Sequence, residues 1–331
     1  MGRPIRAGPL RTMVPYLLRR LALMIPTLLG VSLVVFFFIR LIPGDIVLVL
    51  SGARGEISPD QRAALRHDLG LDRSLPVQYV DWLSHTVRGD LGESMMNNRP
   101  IGPDIVSRLP VTLELAVLAA VIGILTGVAT GIIAALKRGI WTEFMAQGLG
   151  LVGLSVPDFW LGTLFLLAAS RYFGWYPGAR YVGLLTDPGA NLSIFVLPAL
   201  AVGIGLSASL MRITRSALLD VLTSGYVTTA RAKGLAPSTV LWRHALKNAM
   251  IPIVTILGLQ LGYLLGGVVI VETVFNLPGV GRFTVDAISS RDYPVVQAAV
   301  LLVTVIVLFI NLFVDILYAF LDPRIKYGRS S

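Results

Sequence analysis

The stretch Val111–Leu136, VTLELAVLAAVIGILTGVATGIIAAL, decides the fold class of this chain. Its only ionisable side chain is that of Glu114, close to its start. A helix needs about 20 mainly apolar residues to cross the hydrocarbon core of a bilayer, because each residue advances it by ~1.5 Å. The stretch is therefore predicted to be a transmembrane helix.

Five further stretches pass the same test of length and polarity. They are Leu21–Ile42, Phe144–Tyr172, Ile194–Met211, Ile251–Val274 and Val295–Leu321. The third and fourth spans of the chain contain Pro157 and Pro198, and a membrane helix tolerates proline when neighbours satisfy the freed carbonyl. The sequence thus predicts an all-α polytopic membrane protein with six transmembrane helices.

The overall composition agrees with this fold class. Of the 331 residues, 55% are hydrophobic and 14% are charged, whereas soluble domains carry roughly 25% charged residues. The chain has no cysteine, which excludes disulfides, thiol nucleophiles and cysteine-type metal sites.

The basic residues set the orientation, since short cytoplasmic loops carry an excess of Lys and Arg. With the N-terminus inside, every lysine of the chain falls on the inner side: Lys137, Lys233, Lys247 and Lys326. The C-terminus then also lies inside. This bias accounts for most of the sequence pI of about 10.1, so no nucleic-acid partner is expected.

These spans divide the chain into five segments. We expect a cytoplasmic N-terminus at 1–20, the first transmembrane helix at 21–42, and an extracytoplasmic helical segment at 43–110. A five-helix transmembrane core at 111–321 includes a cytoplasmic loop at 212–250, and a cytoplasmic C-terminus follows at 322–331.

No pattern in the sequence indicates catalysis by this chain. The three histidines, His67, His85 and His244, are scattered, and neither H-E-x-x-H nor G-x-S-x-G occurs. The dipeptide Gly-Lys is absent, so the chain has no Walker A phosphate loop. If ATP drives this protein, a separate chain must bind it.

Two spans carry glycines at four-residue spacing, which places them on one face of a helix. The second span has Gly123, Gly127 and Gly131, and the fifth has Gly258, Gly262 and Gly266. Small residues let membrane helices approach closely. These faces are expected either to pack statically or to slide and separate during a transport cycle.

Ionisable residues inside the spans are few. Asp158 follows Pro157 in the third span, and Asp315 lies about two turns from the inner end of the sixth. Ion-coupled carriers need buried carboxylates as proton or sodium sites, and neither of these is clearly central. Secondary transport coupled to an ion gradient therefore remains only an alternative hypothesis for the function of this chain.

The outer segment 43–110 shows two helix starts, at Ser58-Pro59-Asp60-Gln61 and at Leu75-Pro76. The second helix has an apolar side that includes Val77, Val80 and Trp82. The segment is expected either to pack on the membrane domain or to contact an external partner.

The cytoplasmic loop has an unusual composition. Tyr226–Lys233 predicts a short helix with small residues, Gly234 suits the left-handed position that ends a helix, and Pro237 suits a new first turn. In the next helix Trp242, Leu246, Ala249 and Met250 are expected to share one face. A basic loop alone would explain the Arg and Lys residues but not the small residues, the glycine and the proline together.

This loop resembles a known family. YVTTARAKGL followed by RHALKNAMIP is similar to the EAA loop of dipeptide/oligopeptide-type permease subunits of bacterial ABC importers (the B-type subunit of the peptide/nickel permease family). The general loop pattern is Glu-Ala-Ala, three residues, then Gly, and here Thr228, Thr229, Ala230 and Gly234 hold those places. The peptide branch commonly has Asp and Arg where this chain has Gly225 and Thr228.

The resemblance extends along nearly the whole chain. LRRLALMIPTLLGVSLVVFFFIRLIPGD is similar to the family's first helix, and DLGLDRSLPVQYVDWLSHTVRGDLGES to its outer segment. GGVVIVETVFNLPGVGRFTVDAISSRDYPVVQA resembles its fifth helix with the following loop, and YAFLDPRIKYG its C-terminus.

The resemblance implies a type I ABC importer permease fold in the bacterial plasma (inner) membrane. It implies a homologous second permease, two ATPase subunits (or one fused) that bind ATP and Mg, an extracytoplasmic substrate-binding protein, surrounding membrane lipid and a peptide substrate. No cofactor or metal is expected in this chain.

The resemblance also implies roles for particular residues. Those expected to couple to the ATPase are Tyr226, Thr229, Ala230, Arg231, Lys233, Gly234, Arg243 and His244. Those expected to contact the binding protein are Glu272, Asn276, Pro278, Gly279 and Arg282.

Overall fold

The computed structural model describes residues 9–41, 58–68, 71–176 and 181–321. Within these residues the chain forms eleven helices and no strand beyond one isolated bridge between Glu93 and Pro100. The prediction of an all-α membrane protein is thereby confirmed.

In chain order, the helices are α1 to α11. They are α1 (Pro9–Leu41), α2 (Pro59–Asp68), α3 (Leu75–Val87), α4 (Ile101–Leu136), α5 (Trp141–Ser155), α6 (Asp158–Phe173), α7 (Pro188–Leu222), α8 (Gly225–Ala232), α9 (Pro237–Val274), α10 (Val280–Ser289) and α11 (Tyr293–Leu321).

Five of these helices are long and apolar enough to cross a membrane: α1, α4, α7, α9 and α11. The sixth candidate is the pair α5 and α6, which meets the test jointly but bends by 101°. Six spans are reached when this bent pair is taken as one. The expectation of one continuous helix over Phe144–Tyr172 is wrong.

Pro157 explains the break. The residue before a proline is pushed out of the helical region by the proline ring, and Val156 is extended, with φ −93° and ψ 121°. The carbonyl of Pro157 then accepts bonds from the amides of Trp160 and Leu161 and starts α6. The apolar composition of a span survives this local change, so hydropathy alone does not reveal it.

The described residues form two compact units. One contains residues 9–20, 112–277 and 307–321, and the other contains residues 21–111 and 278–306, apart from the gaps given above.

In the first unit α7 is the central helix and packs against α5, α6 and α9. Its buried side chains include Phe195, Leu210 and Leu218, each fully removed from solvent. At 35 residues α7 is also longer than a bilayer crossing requires. Part of α7 therefore extends beyond the hydrocarbon core, and its last turn leads directly to α8.

In the second unit α3 packs against α1 through aromatic rings. Phe36 is fully buried, with ring centroids 5.3 Å from Tyr79 and 5.6 Å from Trp82, and the hydroxyls of Ser32 and Tyr79 are 2.8 Å apart. The packing interpretation of the outer segment therefore holds for α3.

A second contact in this unit fixes the stretch just before α4. The buried carboxylate of Asp292 accepts hydrogen bonds from the Ser94 hydroxyl and from the Met95 amide, the latter at 3.1 Å. Beside it, Ile101 and Ile105 pack on Ala287, Val295 and Ala298.

Candidate functional site

The predicted helix–glycine–proline arrangement of the loop at 212–250 is present. Helix α8 spans Gly225–Ala232, and Gly234 follows it with φ +77°, a left-handed conformation that glycine adopts without a steric penalty. The Gly234 amide donates to the Arg231 carbonyl at 2.9 Å, and the Leu235 amide donates to Ala230 at 3.4 Å. These bonds use carbonyls that would otherwise be free at the helix end.

One face of α8 is held against the chain. Val227 and Ala230 are buried in a small cluster with Val240, bordered by Val221 and Leu222 at the end of α7. The Tyr226 hydroxyl adds a polar anchor, since it accepts a hydrogen bond from Asn248 at 2.8 Å and donates one to the His244 carbonyl at 3.4 Å. Helix α8 is thus connected to both α7 and α9.

The opposite face of α8 is exposed, small and positively charged. It presents Thr228, Thr229 and Ala232, flanked by Arg231 and Lys233. No acidic residue occurs anywhere in residues 221–250, so this face carries uncompensated positive charge. A short helix of this kind is suited to insertion into a cleft whose rim is acidic.

The start of α9 departs from regular helix geometry. Val240–Ala245 is a π-helical segment, and such an insertion rotates the residues before it relative to those after it. Trp242 is consequently 64% exposed while Ala249 is buried. The expected shared face of these two residues is wrong, because the pattern was counted at the regular α-helical period.

The residues expected to couple to an ATPase therefore divide into two groups. Tyr226, Thr229, Arg231, Lys233, Gly234 and Arg243 are exposed, and the side chain of His244 is half-buried. Ala230 is buried in the cluster that supports α8. It holds the helix in place and does not belong to the exposed face.

A further contact near this loop was not expected from the sequence. Glu143, in the first turn of α5, is buried and accepts hydrogen bonds from Arg215 of α7, with Arg215 Nε at 2.9 Å. Gln147 donates to the same carboxylate oxygen at 2.9 Å. The two residues are 72 positions apart in the sequence, so no local pattern predicts that they form a pair.

The glycine face of α4 lies against α7. A side chain added at Gly123, Gly127 or Gly131 would place its Cβ 2.6–2.7 Å from atoms of Leu206, Ser207 and Thr214 respectively. Real Cβ atoms do not approach other atoms so closely, so these glycines set the distance between the two helices.

The glycine face expected on α9 is only partly present. A Cβ at Gly258 would lie 2.3 Å from Val314, but Gly262 and Gly266 meet no atom within 4 Å among the described residues. The neighbouring Gly267 makes the close approach instead, to Asp158 and Val202. The prediction of packing at Gly262 and Gly266 is therefore corrected for this chain's own helices.

The residues expected to contact a binding protein also differ in exposure. Glu272 is fully buried, and Gly279 is buried too, so neither presents a side chain or surface to an external partner. Asn276 is exposed and has φ +57°, while Pro278 and Arg282 are half-buried. Glu272 is removed from the expected contact surface.

The part of the chain that the structure describes contains no group of three or more His, Asp or Glu side chains that could hold a metal ion.

Comparison with known proteins places this architecture among transport proteins. The family profile described as "Binding-protein-dependent transport system inner membrane component" matches residues 127–327. A second profile, for the N-terminal part of membrane components of binding-protein-dependent transport systems, matches residues 13–116.

Similar curated proteins match over nearly their whole length. The di/tripeptide transport system permease protein DppB of Pseudomonas aeruginosa is 42% identical, with 96% of this chain and 100% of that protein covered. The dipeptide transport system permease protein DppB of Escherichia coli is 40% identical at the same coverage. The glutathione transport system permease protein GsiC of Salmonella typhimurium is 42% identical, with 95% and 100% covered.

Two solved structures share the fold. An amino acid ABC transporter crystallised with histidines gives a TM-score of 0.51 at 21% identity, covering 67% of this chain and 94% of the other. The inward-facing MetNI methionine ABC transporter gives 0.53 at 17% identity, covering 66% and 96%.

Proposed function

This chain belongs to the family of inner membrane components of binding-protein-dependent transport systems, and from that premise we propose that it carries short peptides across the membrane, driven by a separate ATPase. As a family member it is a multi-pass inner-membrane permease subunit of an ABC importer and not itself an enzyme. Nothing in the comparisons favours an ion-coupled carrier.

The substrate class follows from the relatives. Proteins 40–42% identical over essentially their full lengths are named for di- and tripeptide, dipeptide and glutathione transport. These substrates are all short peptides. We therefore assign short peptides, without a narrower choice, to this chain.

The partners follow from the kind of system. A second homologous permease completes the pathway, an extracytoplasmic binding protein delivers the peptide, and two ATPase subunits, or one fused chain, bind ATP and Mg. The absence of a Walker A sequence from this chain is consistent with nucleotide binding elsewhere.

The observation that carries the coupling role is the exposed basic face of α8. Its buried face is fixed by Val227 and Ala230, and its start is fixed by Tyr226 through Asn248. A helix braced on two sides moves as a body when it is pushed, and a partner that reaches Arg231 and Lys233 can push it. Helix α8 is therefore the part of this chain that docks on the ATPase.

A physical route leads from α8 into the membrane. Leu222 at the end of α7 borders the α8 cluster, and Arg215, two turns earlier on α7, is paired with Glu143 of α5. Helix α5 ends at the Pro157 break, beyond which α6 begins. Displacement of α8 would therefore reach a joint whose angle is able to change, as a two-state transport cycle requires.

Reconstitution tests this function. The chain is co-expressed with its second permease and ATPase subunits, placed in proteoliposomes, and supplied with the binding protein and a radiolabelled dipeptide. We expect ATP-dependent uptake that a proton or sodium ionophore leaves unchanged. Uptake that needs an ion gradient and not ATP would overturn the assignment.

A further inference from the structure

Asp158 places a carboxylate inside the broken span. It is the first residue of α6, directly after the Pro157 break, and its side chain is half-buried. Charged groups at membrane depth are costly, so they are retained where they pair with another group or serve a pathway. The surroundings of Asp158 decide between these two possibilities.

Two glycines make room for this carboxylate. A Cβ built on Gly205 of α7 would lie 2.9 Å from Asp158 Oδ1, and a Cβ built on Gly267 of α9 would lie 2.8 Å from Asp158 Oδ2. Each carboxylate oxygen thus rests against a different helix at a position without a side chain. An alanine at either position would force the carboxylate out of this slot.

Among the described residues, the carboxylate of Asp158 has neither a hydrogen bond nor an ion pair. Three other acids of the same unit have partners: Asp315 pairs with Arg20 at 3.1 Å, Glu143 with Arg215, and Glu114 with the Tyr181 hydroxyl at 2.8 Å. Asp220 near the end of α7 has none in the described part of the chain, but it is exposed, whereas Asp158 is half-buried.

A role in starting the helix explains only part of this arrangement. An acid in the first turn stabilises a helix weakly through the helix dipole, and Asn or Ser replaces it there at little cost. It does not require glycines on two neighbouring helices. The cleared slot indicates that the charge itself is kept for a cationic group that comes from outside the chain.

Resting on the proposed function, we infer that Asp158 binds the α-ammonium group of the peptide during its passage. A free peptide is mainly protonated at its amino end near neutral pH, because the pKa of an α-amino group is about 8. Of its two termini, only this one complements a carboxylate. The ammonium has three donors, which suits a carboxylate that has no hydrogen-bond partner among the described residues.

The test compares Asp158→Asn with Asp158→Glu in the reconstituted complex. A dipeptide and its N-acetylated form are each supplied above the Kd that calorimetry gives for the binding protein, so that delivery is equal.

We expect wild type to import the free dipeptide about tenfold faster than the acetylated one, the effect of one charge-assisted hydrogen bond. In Asp158→Asn uptake of the free dipeptide falls about tenfold and the preference disappears. Asp158→Glu retains the preference.

Gly267→Ala and Gly262→Ala provide a matched pair on one helix. Alanine at Gly267 should displace the carboxylate and reproduce the loss of preference, whereas Gly262 faces open space and its alanine variant should behave as wild type.

The remaining outcomes each count against the inference. Equal import of the two peptides by wild type would overturn it, and so would a preference that survives Asp158→Asn or is lost equally in Asp158→Glu. If Asp158→Asn does not assemble, the wild-type preference and the glycine pair decide. Failure of wild type to import any dipeptide would overturn the proposed function itself, which is a different result.

Discussion

Arg215 of α7 donates hydrogen bonds from two guanidinium nitrogens to one carboxylate oxygen of Glu143 in the first turn of α5. The glutamate side chain is 5% exposed and the arginine 25%. The pair is therefore largely shielded from water and joins two helices that are far apart in the sequence. It lies between the α8 loop and the Pro157 break, which makes it the most informative place to test transmission.

Removing one member of this pair should be more harmful than removing both. Arg215→Gln leaves the shielded carboxylate without its charged partner, whereas Glu143→Gln leaves an arginine that can still reach water, so the first change should lower the unfolding temperature more. The double variant should recover part of the loss. Thermal unfolding of the purified complex measures all three.

Arg20→Gln serves as the control for the pair. Arg20 pairs with Asp315, and their side chains are 46% and 20% exposed. The carboxylate left by Arg20→Gln is therefore less shielded than Glu143, and this change should lower the unfolding temperature less. If Arg215→Gln is no less stable than Arg20→Gln, the Glu143–Arg215 pair does not hold α5 to α7.

Gly234→Pro should separate ATP hydrolysis from uptake. Proline cannot adopt φ +77° and lacks the amide that Gly234 donates to Arg231. The end of α8 is then rebuilt while the membrane helices are untouched. We expect normal insertion and ATPase activity, but uptake per ATP reduced at least tenfold in proteoliposomes.

Gly225→Ala is the matched control at the other end of α8. Gly225 has no positive φ and meets no atom within 4 Å among the described residues, so alanine fits there. It should couple as wild type does. Normal uptake by Gly234→Pro would show that the shape of this helix end is unimportant for coupling.

Charge reversal of Arg231 and Lys233 should weaken assembly with the ATPase. Both side chains are exposed on α8, and glutamates there would repel an acidic cleft rim. We expect the Arg231→Glu/Lys233→Glu variant to lose most of the co-purifying ATPase, with a stronger effect at low salt because exposed charges are screened by ions.

Lys137→Glu/Arg138→Glu controls for the change of net charge. These two residues are also adjacent in space and exposed, but they lie between α4 and α5. Their reversal should leave co-purification unchanged. Equal loss of ATPase in both double variants would indicate a general effect of charge and not docking at α8.

The sequence was sufficient for features set by local composition. The apolar length of Val111–Leu136 and its counterparts predicted the candidate spans. Gly234 marked the end of α8 and Pro237 the start of α9, because each property acts within a few residues. The break at Pro157 was visible as a proline, but whether a membrane helix bends or breaks there depends on its neighbours. The hydropathy of the stretch does not distinguish a bent helix from a broken one.

Features set by distant contacts could not be predicted. The Glu143–Arg215 pair joins residues 72 positions apart, and no local pattern specifies it. The π segment Val240–Ala245 shifted the face on which Trp242 lies, and a spacing rule that assumes regular helix places it wrongly. Four-residue spacing likewise identified Gly123, Gly127 and Gly131 correctly as a face, but on α9 the spacing alone did not reveal which helix face has a neighbour.

The α4–α7 contact permits a last prediction, about stability. Alanine at Gly127 would place a methyl group 2.6 Å from the Ser207 carbonyl oxygen, and because that atom belongs to the backbone, it cannot move aside as a side chain would. The helices must separate, at a cost of about 1–3 kcal/mol.

Gly148→Ala, on α5, is the control, since nothing lies within 4 Å of its added Cβ among the described residues and alanine favours a helix over glycine. We expect a lower unfolding temperature for Gly127→Ala and an equal or higher one for Gly148→Ala, measured by tryptophan fluorescence of the detergent-solubilised complex. If Gly127→Ala is as stable as wild type and still transports, α4 and α7 do not remain at this distance in the membrane, and the glycine face serves sliding rather than fixed packing.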